Sequence, residues 1–267
     1  MMGFRLAITV LLLWALMALF GPLLPLSPNQ IELSQILTPP SSSELLGYDD
    51  LGRPLLDRLV AGARISFMVA FGVVLVAGSF GITIGLLAGY FGGLFDLITM
   101  RIIDIFLAFP GILLAIALAG VMGPGIDNLV IALSLVGWVG YARLARSQVL
   151  SLKQRDHVTA AIALGTSELT IVSRHLLPLI AAPLIIEATF GIAGMVIAEA
   201  GLSFLGLGVQ PPEASWGSMI RDGARYMLVA PHMVMVPGLA IMLVVFSLNL
   251  LGDRLRDRLD IRSRHIS

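Results

Sequence analysis

Cysteine is absent from this 267-residue chain, so neither a disulfide framework nor a thiolate metal site is available to it. Charge is scarce as well. Asp, Glu, Lys and Arg together make up 13% of the residues, where soluble globular proteins carry about a quarter. Lys153 is the single lysine, against sixteen arginines, and no glycine-rich loop precedes it. The Gly-x-x-x-x-Gly-Lys-Ser/Thr pattern is therefore missing, which excludes ATP hydrolysis of the P-loop kind from this polypeptide. Neither a Gly-x-Ser-x-Gly elbow nor a His-Glu-x-x-His pair occurs, so nothing in the sequence points to an enzyme. His157, His175, His232 and His265 are scattered without ligand spacing, and no resident metal is expected. A net charge of zero leaves no electrostatic footprint for nucleic acid.

What is present is apolar. Hydrophobic residues make up 57% of the chain and the mean hydropathy is +0.94, so lipid is the solvent for most of it. Crossing about 30 Å of hydrocarbon as helix takes about 20 apolar residues. Runs of that kind fall at 6–25, 65–89, 102–122, 126–142, 177–200 and 233–252, which predicts an all-α integral membrane protein with a six-helix bundle. GPGIDN joins the third run to the fourth as a tight loop. The run 6–24 follows Arg5 as a signal peptide would. It lacks a small-x-small cleavage site and further spans follow it, so it is expected to remain as the first helix.

An even number of spans places both termini on one side, and basic residues choose the side. A cytoplasmic N-terminus puts Arg5, Arg101, Arg143, Arg146, Lys153, Arg155, Arg174, Arg254, Arg256, Arg258, Arg262 and Arg264 inside, twelve in all. Arg53, Arg58, Arg64, Arg221 and Arg225 then lie outside, which is five. Both termini are accordingly expected in the cytoplasm. Residues 1–26 form the first membrane helix, 27–64 an outer segment, 65–252 the membrane core and 253–267 a basic cytoplasmic tail. A second outer segment, 201–232, carries Phe204, Leu205 and Leu207 among glycines, then Gln210-Pro211-Pro212 and Trp216. It reads equally as a buried lid or as a docking surface, with Trp216 an exposed interfacial anchor.

One long segment remains inside, 143–176, and its later part runs into the moderately polar stretch TAAIALGTSELTIVSRHLLP at 159–178. Val158, Ala161, Ile162 and the pair Ala160/Leu164 recur at helical spacing, opposite Asp156, His157 and Thr159. Gly165 suits the left-handed end of a helix, and Thr166 or Ser167 suits the cap of the next, with Glu168 in its first turn. The pattern predicts a helix–turn–helix on the membrane surface. Its small residues favour close approach by a soluble partner, although an ordinary interfacial hairpin has the same spacing.

TAAIALG followed by HLLP resembles the EAA loop of ATP-binding-cassette importer permeases, whose pattern is Glu-Ala-Ala, three residues, Gly, and a later Leu-Pro. Ala160, Ala161, Gly165, Leu177 and Pro178 match it, and Thr159 stands at the usual glutamate. LGYDDLGRPLLDRLVAGARIS, LLAGYFGG, MRIIDIFLAFP, VGWVGYARLAR, AEAGLSFLGLGVQPP, SWGSMI and SLNLLGDRLRDRLD likewise resemble the C-type permease of dipeptide, oligopeptide and nickel importers. The resemblance implies a type I importer fold in a bacterial inner membrane, with 156–178 as the coupling loop. It also implies a homologous second permease, two ATPases that carry the ATP and Mg, and a periplasmic or lipid-anchored solute-binding protein. The cargo it implies is a di- or oligopeptide, with glutathione, nickel or a metal chelate as alternatives.

Other positions invite roles of their own. Gly81, Gly85 and Gly89 repeat every four residues and let two helix backbones approach closely, against this chain or a partner. Glu187 sits mid-span, where a carboxylate must face protein or water, and it is the candidate for lining a cavity and meeting a substrate amine. Asp104 and Glu199 lie near span ends and are read as pairing or capping groups. Against the importer stand an ion-coupled secondary transporter, which needs a mid-membrane ion site, and an intramembrane enzyme, which needs a nucleophile–base or metal pair at depth.

Overall fold

The computed structural model describes residues 2–42 and 44–264; Met1, Ser43 and the tail residues 265–267, His265 among them, lie outside the described residues. The described residues are largely helical. In order they form α1 (Met2–Phe20), α2 (Leu55–Phe91), α3 (Gly93–Leu107), α4 (Gly111–Met122), α5 (Ile126–Leu152), α6 (Asp156–Ala163), α7 (Glu168–Thr170), α8 (Leu177–Phe204), α9 (Trp216–Ala224) and α10 (His232–Arg264). A π-helical turn, Ile171–Leu176, joins α7 to α8. Five helices are long and apolar enough to span, namely α1, α2, α5, the run α7–α8 and α10.

The expected third span, 102–122, is corrected by the structure. It starts earlier, at Gly93, and is a pair, α3 and α4, bent by 85°. Pro110 is the cause. It has no N–H to give the helix, and a residue before proline is disfavoured in the α region, so α3 stops and Pro110 reopens the ladder by accepting from the Leu113 and Leu114 N–H groups. Among the described residues the helices therefore supply five spans, or six if this bent pair counts as one. Two helices also run past the apolar stretches expected of them. α2 begins at Leu55 rather than 65, and its 37 residues measure about 55 Å, well beyond the hydrocarbon thickness. α5 runs on to Leu152, ten residues past the expected end of the fourth span.

The chain divides into two units, one built from Met1–Gly72, Ile116–Ala132 and Ile192–Leu251, the other from Val73–Ala115, Leu133–Gly191 and Gly252–Ser267. In the first unit the core gathers around Trp14 and Trp216, both buried, with ring centres 6.2 Å apart. Each indole N–H donates to a carbonyl of α2, Trp14 to Ala63 at 3.2 Å and Trp216 to Leu59 at 3.0 Å. Trp216 is therefore no exposed anchor: the capping box of Ser215 and Ser218 starts α9 at this residue and turns the ring inward. The segment 201–232 answers to the buried-lid reading at that point, while Leu228 remains open. Glu199 is no span-end cap either. It is wholly buried and accepts the Ser66 hydroxyl at 2.9 Å and the Ser203 hydroxyl at 2.8 Å, which ties α8 to α2.

The YDDLGRP stretch of this unit forms a charged knot. Buried Asp49 accepts the backbone N–H groups of Leu51 and Arg53 at 2.9 Å each, the Arg53 Nε at 2.7 Å and, less closely, Arg58 at 3.3 Å. Gly52 has φ of +72°, and a side chain there would overlap the backbone of Glu32. Burial and the neighbouring charge of Asp49 hold the Asp50 carboxyl above its ordinary range.

In the second unit the Gly81, Gly85 and Gly89 stripe faces α5 of the same chain. A Cβ on Gly81 or Gly85 would overlap the carbonyl oxygens of Trp138 or Ala142, and one on Gly89 would meet Val149 at 2.9 Å. Three glycines on one face bring α2 and α5 backbone to backbone. Asp96 of α3 and Arg146 of α5 add a two-pronged ion pair, with Nη2 to Oδ2 at 2.6 Å.

Candidate functional site

The connector between α5 and α8 is rooted by apolar feet. Val158 and Ala161 of α6, with Ile171 and Leu176 of the π turn, are buried in one cluster with Leu86, Ala145, Val149, Leu152, Ile180 and Leu184. α6 carries Asp156 in its first turn, where the helix dipole favours a carboxylate. It ends in a Schellman arrangement: the Gly165 N–H donates to the Ile162 carbonyl at 3.0 Å and the Thr166 N–H to the Ala161 carbonyl at 3.1 Å. Gly165 has φ of +75°, as that turn requires. Ser167 then caps α7, its hydroxyl accepting the Thr170 N–H at 3.4 Å, with Glu168 following. Of the two caps expected, Ser167 is the one used.

Pro178 explains the π turn. Deep inside a regular helix its ring would strike the carbonyl four residues back and leave that group without a donor. Widening the ladder over Ile171–Leu176, just ahead of it, lets α7 pass into α8 without a break.

Among its polar residues the connector also shows large apolar side chains to solvent. Leu164 is 85% exposed and Leu169 79%, on either side of the exposed Gly165 turn, and Ile162 is half-exposed. Ala160 and Ala163 are exposed and Ala161 is not. The single apolar face expected of Val158, Ala160, Ala161, Ile162 and Leu164 is therefore split, with Val158 and Ala161 buried and the other three exposed. An eight-residue helix rooted at Val158 and Ala161 has room for two feet, and the remaining apolar residues point out. The Thr159 hydroxyl is spent on its own helix, donating to the Asp156 carbonyl at 2.9 Å. A shallow groove beside it is lined by Tyr90, Phe91, Lys153, Gln154, Thr159, Ile162 and Glu168. Lys153 donates to the Gly89 carbonyl at 3.1 Å and so fastens the start of the connector to α2.

The remaining candidates are apart from this knob. Leu177 and Pro178 lie at the exposed start of α8. Glu187, ten residues on from Leu177, is half-buried mid-helix, and among the described residues no group of three or more His, Asp or Glu stands ready to hold a metal. Asp104 is exposed beside Arg101, 3.8 Å away. Sequence reasoning did not single out the exposed Leu164 and Leu169, although their position flanking a helix-ending glycine was a signal. It did not find the Asp96–Arg146 pair, because the two lie 50 residues apart.

Residues 81–265 match the family described as binding-protein-dependent transport system inner membrane component. The dipeptide transport system permease protein DppC of Alkalihalophilus pseudofirmus is 44% identical over 246 residues, 92% of this chain and 81% of that one. The glutathione transport system permease protein GsiD of Pectobacterium atrosepticum is 44% identical over 87% of this chain and 77% of its own length. The nickel transport system permease protein NikC of Escherichia coli K12 is 40% identical over 96% and 93%. Among solved structures, an inward-facing form of the MetNI methionine ABC transporter has a chain that superposes with a TM-score of 0.62. It covers 76% of this chain and 97% of that one at 19% identity, a likeness of fold. Spanning helices and this match together make the protein a multi-pass membrane protein that belongs to the family of binding-protein-dependent transport system inner membrane components.

Proposed function

We propose that this chain is one permease subunit of an ATP-driven, binding-protein-dependent importer of di- or oligopeptides in a bacterial inner membrane, with both termini cytoplasmic. The observation that carries the proposal is the apolar knob around Gly165: a short helix and turn, fixed by four buried side chains, presenting Leu164 and Leu169 to water. Exposed leucines on a rigid base fit a protein partner better than they fit solvent. In this reading an ATPase grips the loop of Thr159, Ala160, Ala161 and Gly165, with Leu177 and Pro178 at the root of the moving helix. ATP and Mg reside on that partner. Closure of the paired ATPases moves the knob, α8 follows through the π turn, and the path shared with a second permease opens toward a solute-binding protein outside. This subunit makes and breaks no bonds.

The peptide assignment rests on the dipeptide permease relative at 44% identity. A second reading, nickel or its chelate, is favoured by the nickel permease relative, which this chain covers over 93% of its length. Both readings use the same knob. Leu164→Asp with Leu169→Asp tests it: the altered permease should still insert and purify, while the ATPases no longer co-purify. ATPases that remain bound to the double variant would refute the docking role. Uptake of nickel in place of a dipeptide by the reconstituted assembly would select the second reading.

A further inference from the structure

Glu187 has a carboxylate in the middle of a membrane helix and no hydrogen bond or ion pair among the described residues. It shares a face of α8 with Ile180, Leu184 and Gly191, at spacings of seven, three and four. That face looks onto α5 at Gly140 and Tyr141. A Cβ on Gly140 would lie 3.5 Å from Oε1 of Glu187, so the carboxylate sits close against the α5 backbone at that glycine. One turn along α8, the Tyr141 phenol occupies the space that a side chain on Gly191 would need. Tyr141 is only 6% exposed, and among the described residues its phenol oxygen has no hydrogen-bond partner. The same holds for the buried hydroxyl of Ser134, two turns back along α5. Arg143, one turn onward from Gly140, forms no ion pair with Glu187.

Groups of this kind are costly to leave alone. A carboxylate in hydrocarbon is expensive to leave without a counter-charge. A buried hydroxyl without a partner adds to that cost. A cation that passes along α8 would relieve both. An ammonium group has three donors and no acceptor, so it can give one N–H to the carboxylate and another to the phenol oxygen.

Resting on the importer reading above, we infer that Glu187 and Tyr141 form a transient site for the free amino group of a peptide in transit, Glu187 as the counter-charge and Tyr141 as the neutral acceptor beside it. This makes them specificity-determining residues of the path in a subunit that otherwise supplies only motion.

The test uses the complete importer, with its second permease, ATPases and binding protein, in proteoliposomes, and the probe is radiolabelled dialanine. Glu187→Gln should lower ATP-dependent dialanine uptake at least tenfold, and Tyr141→Phe about threefold. Binding-protein-stimulated ATP hydrolysis should stay within twofold of wild type in both, because the coupling knob is untouched. Uptake unchanged in Glu187→Gln overturns the inference while leaving the peptide reading intact. Uptake and hydrolysis falling together also overturn it, since they assign the pair to packing. Wild-type importer that carries neither dialanine nor a longer alanine peptide removes the peptide reading and this site with it.

Discussion

At Gly85 a methyl group has nowhere to go, because the Ala142 carbonyl of α5 already lies against the glycine. Gly85→Leu should therefore lower the detergent melting temperature by an amount equivalent to at least the 1–3 kcal/mol or so typical of overpacking. Gly194→Ala, with open space around it, should leave that temperature unchanged. Asp50 makes a different prediction. Its carboxyl is held high by burial first and by Asp49 second, so the folded state binds the proton more firmly than the unfolded chain. The linked stabilisation is complete below the ordinary Asp value, about 3.9, and is lost as pH rises through the folded one. Asp50→Asn should flatten the pH dependence of protection against hydrogen exchange around Asp49 and Arg53, just above that range. A protection profile that keeps its slope would show that another group is responsible. Single residues were also where the sequence was hardest to read. Glu199 looks like a helix-end carboxylate until Ser66, 133 residues away, is found donating to it.

Between residue and molecule, the connector shows what a local pattern can and cannot tell. The glycine that ends α6 and the serine that starts α7 were both legible, because each is chosen by backbone geometry a few residues wide. Which apolar residues of α6 point inward was not legible, because that depends on where α2, α5 and α8 pass. The bend at Phe109-Pro110 had a plain signal in the proline, overridden by reading the run 102–122 for hydropathy alone. Gly165 offers the sharpest test at this scale. Nothing crowds its Cα, so a substitution there is penalised by conformation and not by contact. Forcing a β-carbon into the left-handed region costs about 1–2 kcal/mol, less for asparagine. Gly165→Val should reduce ATP-dependent uptake severalfold and Gly165→Asn should restore most of it. Equal activity in the two variants would deny the turn any part in coupling.

For the molecule as a whole, a chain of long apolar helices was readable because hydrocarbon thickness sets their length. Their ends were not, because α2 and α5 continue past the lipid. Orientation still rests on twelve basic residues against five, and the lack of native cysteine makes it directly measurable. Leu164→Cys and Leu228→Cys, at sites 85% and 97% exposed, provide one reporter at each end. A maleimide that cannot cross membranes should label position 228 in intact spheroplasts and position 164 only after lysis. The reverse pattern would invert the protein. The bare leucines beside Gly165 have one more consequence. In the importer reading proposed above, a copy made without its ATPases leaves these leucines bare, and proteases that survey newly made membrane proteins should remove it as an orphan. The cellular abundance of this chain should therefore follow the supply of its assembly partners, whatever the strength of its own promoter.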